Sequence, residues 1–162
     1  MEGNEWSVAH TKPRCEKKLV QYCEREGISS TLPCCRSPHR YRGKTVVFQK
    51  PLFPGYVFLR ADPEQRRLVL QSDYIANLLT VTDQELFDRQ LREIMAALEA
   101  EVEIRVAPEI SAGVRVKIKT GPLRGMEGWV EHRHGPNTVL LRLDFIGQAA
   151  AVTVEAWELE PS

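Results

Sequence analysis

The chain has 162 residues, with 22 Lys plus Arg balanced by 22 Asp plus Glu, so net charge singles out no class of partner. A hydrophobic share of 43% supports a real core and excludes a disordered tail. No apolar run approaches the roughly 18 residues of a membrane span. The opening MEGNEWSVAH starts with an acid and lacks the apolar stretch of a secretory signal, so a cytoplasmic protein is expected.

Taken in order, Glu5 to Thr11 reads as a first strand. Pro13 opens a helix near its first turn, and Gly27 stops it. Cys15, Leu19 and Cys23 recur every four residues, which puts two cysteines on the buried stripe of that helix. Residues 28–34 form a second strand ending at Cys34 and Cys35. The four cysteines lack the paired spacing of a zinc site. The vicinal pair reads as two small residues at a strand end, because disulfides are rare in a reducing compartment.

RSPHRYRGKTVVFQKP follows, with Arg42-Gly43-Lys44 at a hairpin tip, and leads into a strand over 55–60. In that strand Val57 and Leu59 point to one face, Tyr56 and Phe58 to the other. Asp62-Pro63-Glu64-Gln65 starts a short helix with a reciprocal cap, ending near Ser72. Ile75 to Val81 is another strand. Thr82-x-x-Glu85 is a capping box for a helix whose apolar face is Leu86, Phe87, Leu91, Ile94, Met95 and Leu98. Strands and helices alternate through this part, making a compact α/β unit.

Beyond Val102 no helical period survives. Val114, Val116 and Ile118 alternate with cations, TGPLRG is a turn, and MEGWVEHR, NTVLLRLD and AAVTVEA are short strands. Val130, Val139 and Leu141 join them as core candidates. Such strands fit a small barrel, and the Gly-Pro turns work against any continuous helix there. Two domains are expected: 1–105, a linker over 106–112, and 113–162.

The zero net charge hides an asymmetry. From Gly27 to Ala61 there is no carboxylate, while Arg36, Arg40, Arg42, Lys44, Lys50 and Arg60 carry six positive charges. Clustered cations on a hairpin lower the electrostatic cost of a nearby phosphate backbone, without setting sequence preference. The chain contains no phosphate loop, no nucleophile–base arrangement and no paired-carboxylate site. It therefore reads as a binding protein rather than an enzyme, with no cofactor and no metal.

Three stretches, EWSVAHTKP, RGKTVVFQKPLFPGYVFL and GVRVKIKTGPLRGMEGWV, together resemble the NusG family of transcription elongation factors. The order Arg42-Gly43-Lys44, Pro51-Leu52-Phe53-Pro54, Tyr56 and Phe58 is most similar to the RfaH-type specialised antitermination paralogues. The resemblance covers about residues 5–160. It implies an α+β N-terminal domain, mostly antiparallel sheet with helices, followed by a small all-β KOW barrel. It also implies a monomer, cytoplasmic and nucleoid-associated, that grips the clamp helices of the largest RNA polymerase subunit.

By this resemblance, Phe53, Pro54, Tyr56 and Phe58 line the polymerase-binding pocket, with His10 at the end of the first strand. Aromatic anchors bury much area with few rotors to freeze. Arg36, Arg40, Arg42 and Lys44 would face non-template DNA or nascent RNA. Phe145, Ile146 and Gly147 match the barrel loop that meets a ribosomal small-subunit protein or the termination helicase. Two positions depart from the pattern. Arg66-Arg67-Leu68-Val69 stands where RfaH-type paralogues carry a His-Thr-Thr element, so that bridge across the cleft is lost or differently made. Ile146 precedes Gly147 where the general factor has phenylalanine, which leaves a smaller stacking surface. The implied function is processive elongation or antitermination on particular operons. The alternatives are the general NusG factor, or an RNA- or ribosome-binding KOW protein using Arg115, Lys117, Lys119 and Arg133.

Overall fold

The computed structural model describes residues 4–100, 104–107, 113–131 and 137–161. Packing divides the chain into two units, Met1–Glu85 and Leu86–Ser162. The first contains β1 (Glu5–Thr11), α1 (Glu16–Glu26), β2 (Ser29–Thr31), β3 (Cys34–Tyr41), β4 (Lys44–Pro51), β5 (Tyr56–Ala61), α2 (Pro63–Gln71) and β6 (Ile75–Thr80). Four strands form an antiparallel sheet in the order β2-β5-β1-β6, while among the described residues β3 and β4 pair only with each other.

Strand alternation decides what lies on each face of this sheet. Ala9, Val57, Leu59 and Ala61 form one core with Leu19 and Cys23 of α1, Ile28, and Val69 of α2, all buried. The cysteine stripe expected on α1 is half right, since Cys23 is buried but Cys15 is only half-buried at the N-cap. The helix starts later than Pro13, because Arg14 takes a positive φ of 63° and breaks the helical path. The α2 cap forms as the residues dictate. The Asp62 carboxylate accepts from the Gln65 backbone N–H at 2.8 Å, and Gln65 Oε1 accepts from the Asp62 N–H at 3.0 Å.

The single strand expected over 28–34 is two strands interrupted at Leu32-Pro33. Proline has no N–H to give a ladder, and the Pro33 carbonyl instead accepts from the Leu52 N–H at 2.8 Å. The hairpin that follows is longer than its basic tip, with eight residues on each strand.

The second unit holds most of α3 (Gln84–Glu99), then β7 (Ile104–Ala107), β8 (Val114–Ile118), β9 (Glu127–Val130), β10 (Thr138–Leu143), β11 (Gln148–Thr153) and β12 (Leu159–Pro161). Its six strands form one antiparallel sheet in the order β12-β8-β9-β10-β11-β7. An antiparallel sheet with helices followed by a sheet-rich C-terminal part agrees with the expected fold class. Val116, Ile118, Val139 and Leu141 are buried as expected, but Val114, at the strand end beside Gly113, is 67% exposed and Val130 is half-buried.

The packing border lies at Glu85/Leu86, whereas the sequence places the domain boundary at 105. Val106 and Ala107 of the expected linker belong to β7, which pairs with β11; residues 108–112 lie outside the described residues, as does Arg133. The helix α3 starts at Gln84, one residue late for a Thr82 box. Gln84 is used differently: its Oε1 accepts from the Trp6 N–H at 2.6 Å, and its Nε2 donates to the Trp6 and Val81 carbonyls at 2.9 Å each. Among the described residues no helix is long and apolar enough to cross a membrane.

Two outcomes follow from the first core. Leu59→Ala removes a fully buried side chain and is expected to cost about 2–5 kcal/mol, read as a lower midpoint in urea. Burial pushes the Cys23 thiol from 9.0 up to about 11. Folding raises this pKa, so the thiol's contribution is complete below pH 9.0 and is lost as pH rises toward about 11. The stability of the natural chain should therefore fall more steeply over that window than that of Cys23→Ala. Parallel curves would refute it.

Candidate functional site: an aromatic sheet face and a basic hairpin

Phe53-Pro54-Gly55-Tyr56 is a four-residue turn in which the Tyr56 N–H donates to the Phe53 carbonyl at 3.2 Å. Proline fixes the second position, and Gly55 takes a φ of 90° that other residues rarely adopt, the pattern of a type II turn. The Thr11 N–H donates to the Gly55 carbonyl at 2.8 Å, and the Gly55 N–H donates to Glu16 Oε2 at 3.1 Å. These bonds set β5 against β1 with Tyr56 opposite His10, Phe58 opposite Val8 and Arg60 opposite Trp6.

Directly opposed residues share a face and touch. The His10 and Tyr56 rings stack at 5.1 Å with 16° between planes, and the Arg60 guanidinium sits 4.8 Å over the Trp6 ring. On the far side of β1, β6 places Asn77 opposite His10 and Leu79 opposite Val8. This face therefore carries rows that run from β5 across β1 to β6.

The structure separates the expected contact residues by exposure. His10 and Pro54 are exposed and Tyr56 is half-buried, whereas Phe53 and Phe58 are 1% and 0% exposed. Phe53 and Phe58 meet edge to face at 6.2 Å, so in this structure they support the face and offer no surface of their own. Leu79 went unnoticed in the sequence, yet it is 44% exposed on the same row as Phe58. Its signal was weak, since LL within IANLLT does not tell which leucine faces out. Beside Pro54 an open cleft of about 440 Å³ runs past Pro13, Arg14 and Pro51.

The hairpin β3–β4 turns through Arg42 and Gly43, both at positive φ (50° and 76°), as a tight two-residue turn with the twist of its strands requires. Its register pairs Arg36 with Gln49, Arg40 with Thr45 and Tyr41 with Lys44. The cations expected to act together are thus divided. Arg36 and Arg40 lie on one face of the ribbon, Lys44 and Lys50 on the other, and Arg42 is at the tip. All five are exposed. At its root the Lys17 ammonium donates to the Gln49 carbonyl at 2.9 Å.

In the second unit Phe145 and Ile146 lie in a short 3₁₀ turn, Asp144–Ile146, closed by Gly147. This turn is tied to α3. Gln90 Nε2 donates to Asp144 Oδ2, and the Asp144 N–H donates to Gln90 Oε1, both at 3.0 Å. The Phe87 and Phe145 rings meet edge to face at 6.3 Å. Gln90 is buried in the apolar stripe of α3, a polar residue that periodicity passes over. Nearby, a cleft of about 260 Å³ contains Trp129, with Arg142 4.0 Å over its ring and Arg115 paired to Glu127 at 2.5 Å. Burial raises the Glu93 carboxyl there.

Among the described residues no group of three His, Cys, Asp or Glu side chains is placed to hold a metal. Cys34 and Cys35 stand at the hairpin root as free thiols, with Cys34 pushed up by burial, which disfavours a reactive thiolate. No curated protein matches the chain. A family model described as transcription termination factor nusG matches residues 4–95, more than half of the chain and the whole of the sheet and hairpin just described. Proteins of that family are non-enzymatic transcription elongation and termination factors that generally bind RNA polymerase. This chain belongs to the NusG family.

Proposed function

We propose that the chain is a specialised, RfaH-type member of its family that promotes processive elongation or antitermination on particular operons. Its N-terminal domain, taken as residues 1–105, grips the clamp helices of RNA polymerase. The observation that carries this reading is the part of the aromatic sheet face that stays exposed beside buried Val8, Trp6 and Phe58. There the stacked His10–Tyr56 pair, Pro54 and the exposed Leu79 surround buried Phe53 and Phe58. Apolar and aromatic area on a rigid sheet is what two packed helices of a partner need, and it freezes few rotors on binding. A factor held there, with its basic hairpin toward non-template DNA or nascent RNA, favours the closed, elongating polymerase by binding it better than the open, paused one. The loop Phe145-Ile146-Gly147 of the KOW-type domain is left for a ribosomal protein or the termination helicase. The Pro-Leu-Phe-Pro-x-Tyr-x-Phe order supports the specialised reading over the general factor.

In the full chain, the double variant Tyr56→Ala, Leu79→Asp should lower affinity for core RNA polymerase by tenfold or more, since central anchors are worth about 2 kcal/mol each. Its melting temperature should stay close to that of the natural chain, because neither side chain is in the core. In single-round elongation the natural chain should shorten pauses and the variant should not. Equal binding by both would sink the assignment. Chromatin immunoprecipitation of the tagged chain should show occupancy confined to few operons; occupancy of most transcribed genes would assign the general role instead.

A further inference from the structure

Strand alternation gives the six-stranded sheet of the second unit one apolar face and one mixed face. Val116, Ile118, Val139, Leu141 and Leu143 are buried on the first. On the second, Arg115 is opposite Trp129 and Trp129 is opposite Leu140, so Glu127 and Arg142 follow on that face by alternation. The Arg142 guanidinium lies 4.0 Å over the Trp129 ring and the Arg115 guanidinium 5.5 Å from its centre, while Arg115 is paired to Glu127 at 2.5 Å. Arg89 and Glu93 stand four residues apart on α3, hence on one side of the helix. With the sheet residues they enclose a cleft of about 260 Å³.

Trp129 is half-buried beneath a guanidinium, a stack that a further flat ring can extend. Arg89 is exposed and Glu93 half-buried, and among the described residues neither closes a hydrogen bond. Burial raises the Glu93 carboxyl; Arg89 and Arg115 act against that rise and Glu127 adds to it, so these charges all act on one another. A carboxylate partly withdrawn from water gains most from donors that a ligand brings. A bare anion would meet Glu93 and Glu127 beside its arginines, and a bare cation would meet Arg89, Arg115 and Arg142. A ligand that suits both signs carries N–H donors and negative charge on a flat ring system. Guanine presents two neighbouring donors, N1–H and the 2-amino group, to a single carboxylate. Adenine presents one donor beside an acceptor nitrogen that the carboxylate repels.

We infer that this cleft binds a guanine nucleotide: the base extends the Trp129–Arg142 stack, Glu93 accepts from N1–H and the 2-amino group, and Arg89 meets the phosphates. Arg115, fixed by Glu127, adds to the positive field there. The volume is just under the roughly 300–1,000 Å³ of drug-sized ligand sites, which suits one nucleotide and not a strand. All of these residues belong to the second unit, so the site does not depend on polymerase binding by the first.

Isothermal titration calorimetry of the full chain tests this with GDP, GMP, ADP and inorganic phosphate. GDP should bind, GMP more weakly for its lost phosphate charge, and ADP more weakly than GDP by about tenfold or more. Glu93→Gln keeps the shape of the side chain and removes its charge. It should bring GDP affinity down to that of ADP, while ADP affinity changes by less than about twofold. Arg89→Ala, at an exposed position, should weaken GDP and ADP alike by about tenfold. In NMR spectra the Trp129 indole N–H should shift on addition of GDP and not of inorganic phosphate. Absence of GDP binding, equal affinity for GDP and ADP, or competition by inorganic phosphate as strong as that by GDP overturns the guanine site.

Discussion

The antiparallel register between β1 and β5 is the constraint on which the first unit turns. Side chains on a strand alternate, so a slip of one residue would carry Val57, Leu59 and Ala61 out of the helix-covered core and turn Tyr56 and Phe58 into it. The register is held at its end by the Phe53–Tyr56 turn, where Gly55 alone accepts the backbone angle, and by the bonds of Thr11 and Glu16 to Gly55. Glu16 is the first residue of α1, so the helix, the turn and the strand pair are fixed at one point. The stacked His10–Tyr56 pair is a direct consequence.

The hairpin obeys a different economy. A two-stranded ribbon alone is marginal in water, because neither strand buries a face. Here it is supported from both ends: the tight Arg42-Gly43 turn suits the twist at the tip, the Leu52–Pro33 bond closes the ladder at the root, and Lys17 of α1 ties that root to the body of the unit through the Gln49 carbonyl. Exposed strand edges invite pairing with other chains, and charge along them is the usual protection. The exposed cations of this hairpin supply that charge.

In the second unit the reciprocal Gln90–Asp144 bonds join a helix to the 3₁₀ turn that precedes Gly147. A buried amide that meets both a backbone N–H and a carboxylate is satisfied, and a satisfied polar group in an apolar stripe favours one docking position over its neighbours. With the Phe87–Phe145 contact it defines how α3 sits on this unit, and it explains why packing assigns the helix to the C-terminal unit although the family model that ends at residue 95 includes most of it.

Much of this was legible in one dimension because its causes are local. The Asp62 cap, the Gly27 stop, the hairpin tip at Arg42-Gly43 and the alternation of Val57 and Leu59 each depend on neighbours a few residues away. Family motifs located the aromatic turn for the same reason, since Pro followed by Gly favours a type II turn locally. Tertiary structure decided what depends on residues distant in the chain. It alone separated half-buried Tyr56 from fully buried Phe58, two positions with the same alternation, and brought Leu79 onto their face through β6. It divided the hairpin cations between two faces, since strand pairing and not sequence order sets which side chains are neighbours. It also drew Gln90 to Asp144 across 54 positions, a contact that no periodicity encodes because its partner lies on another element.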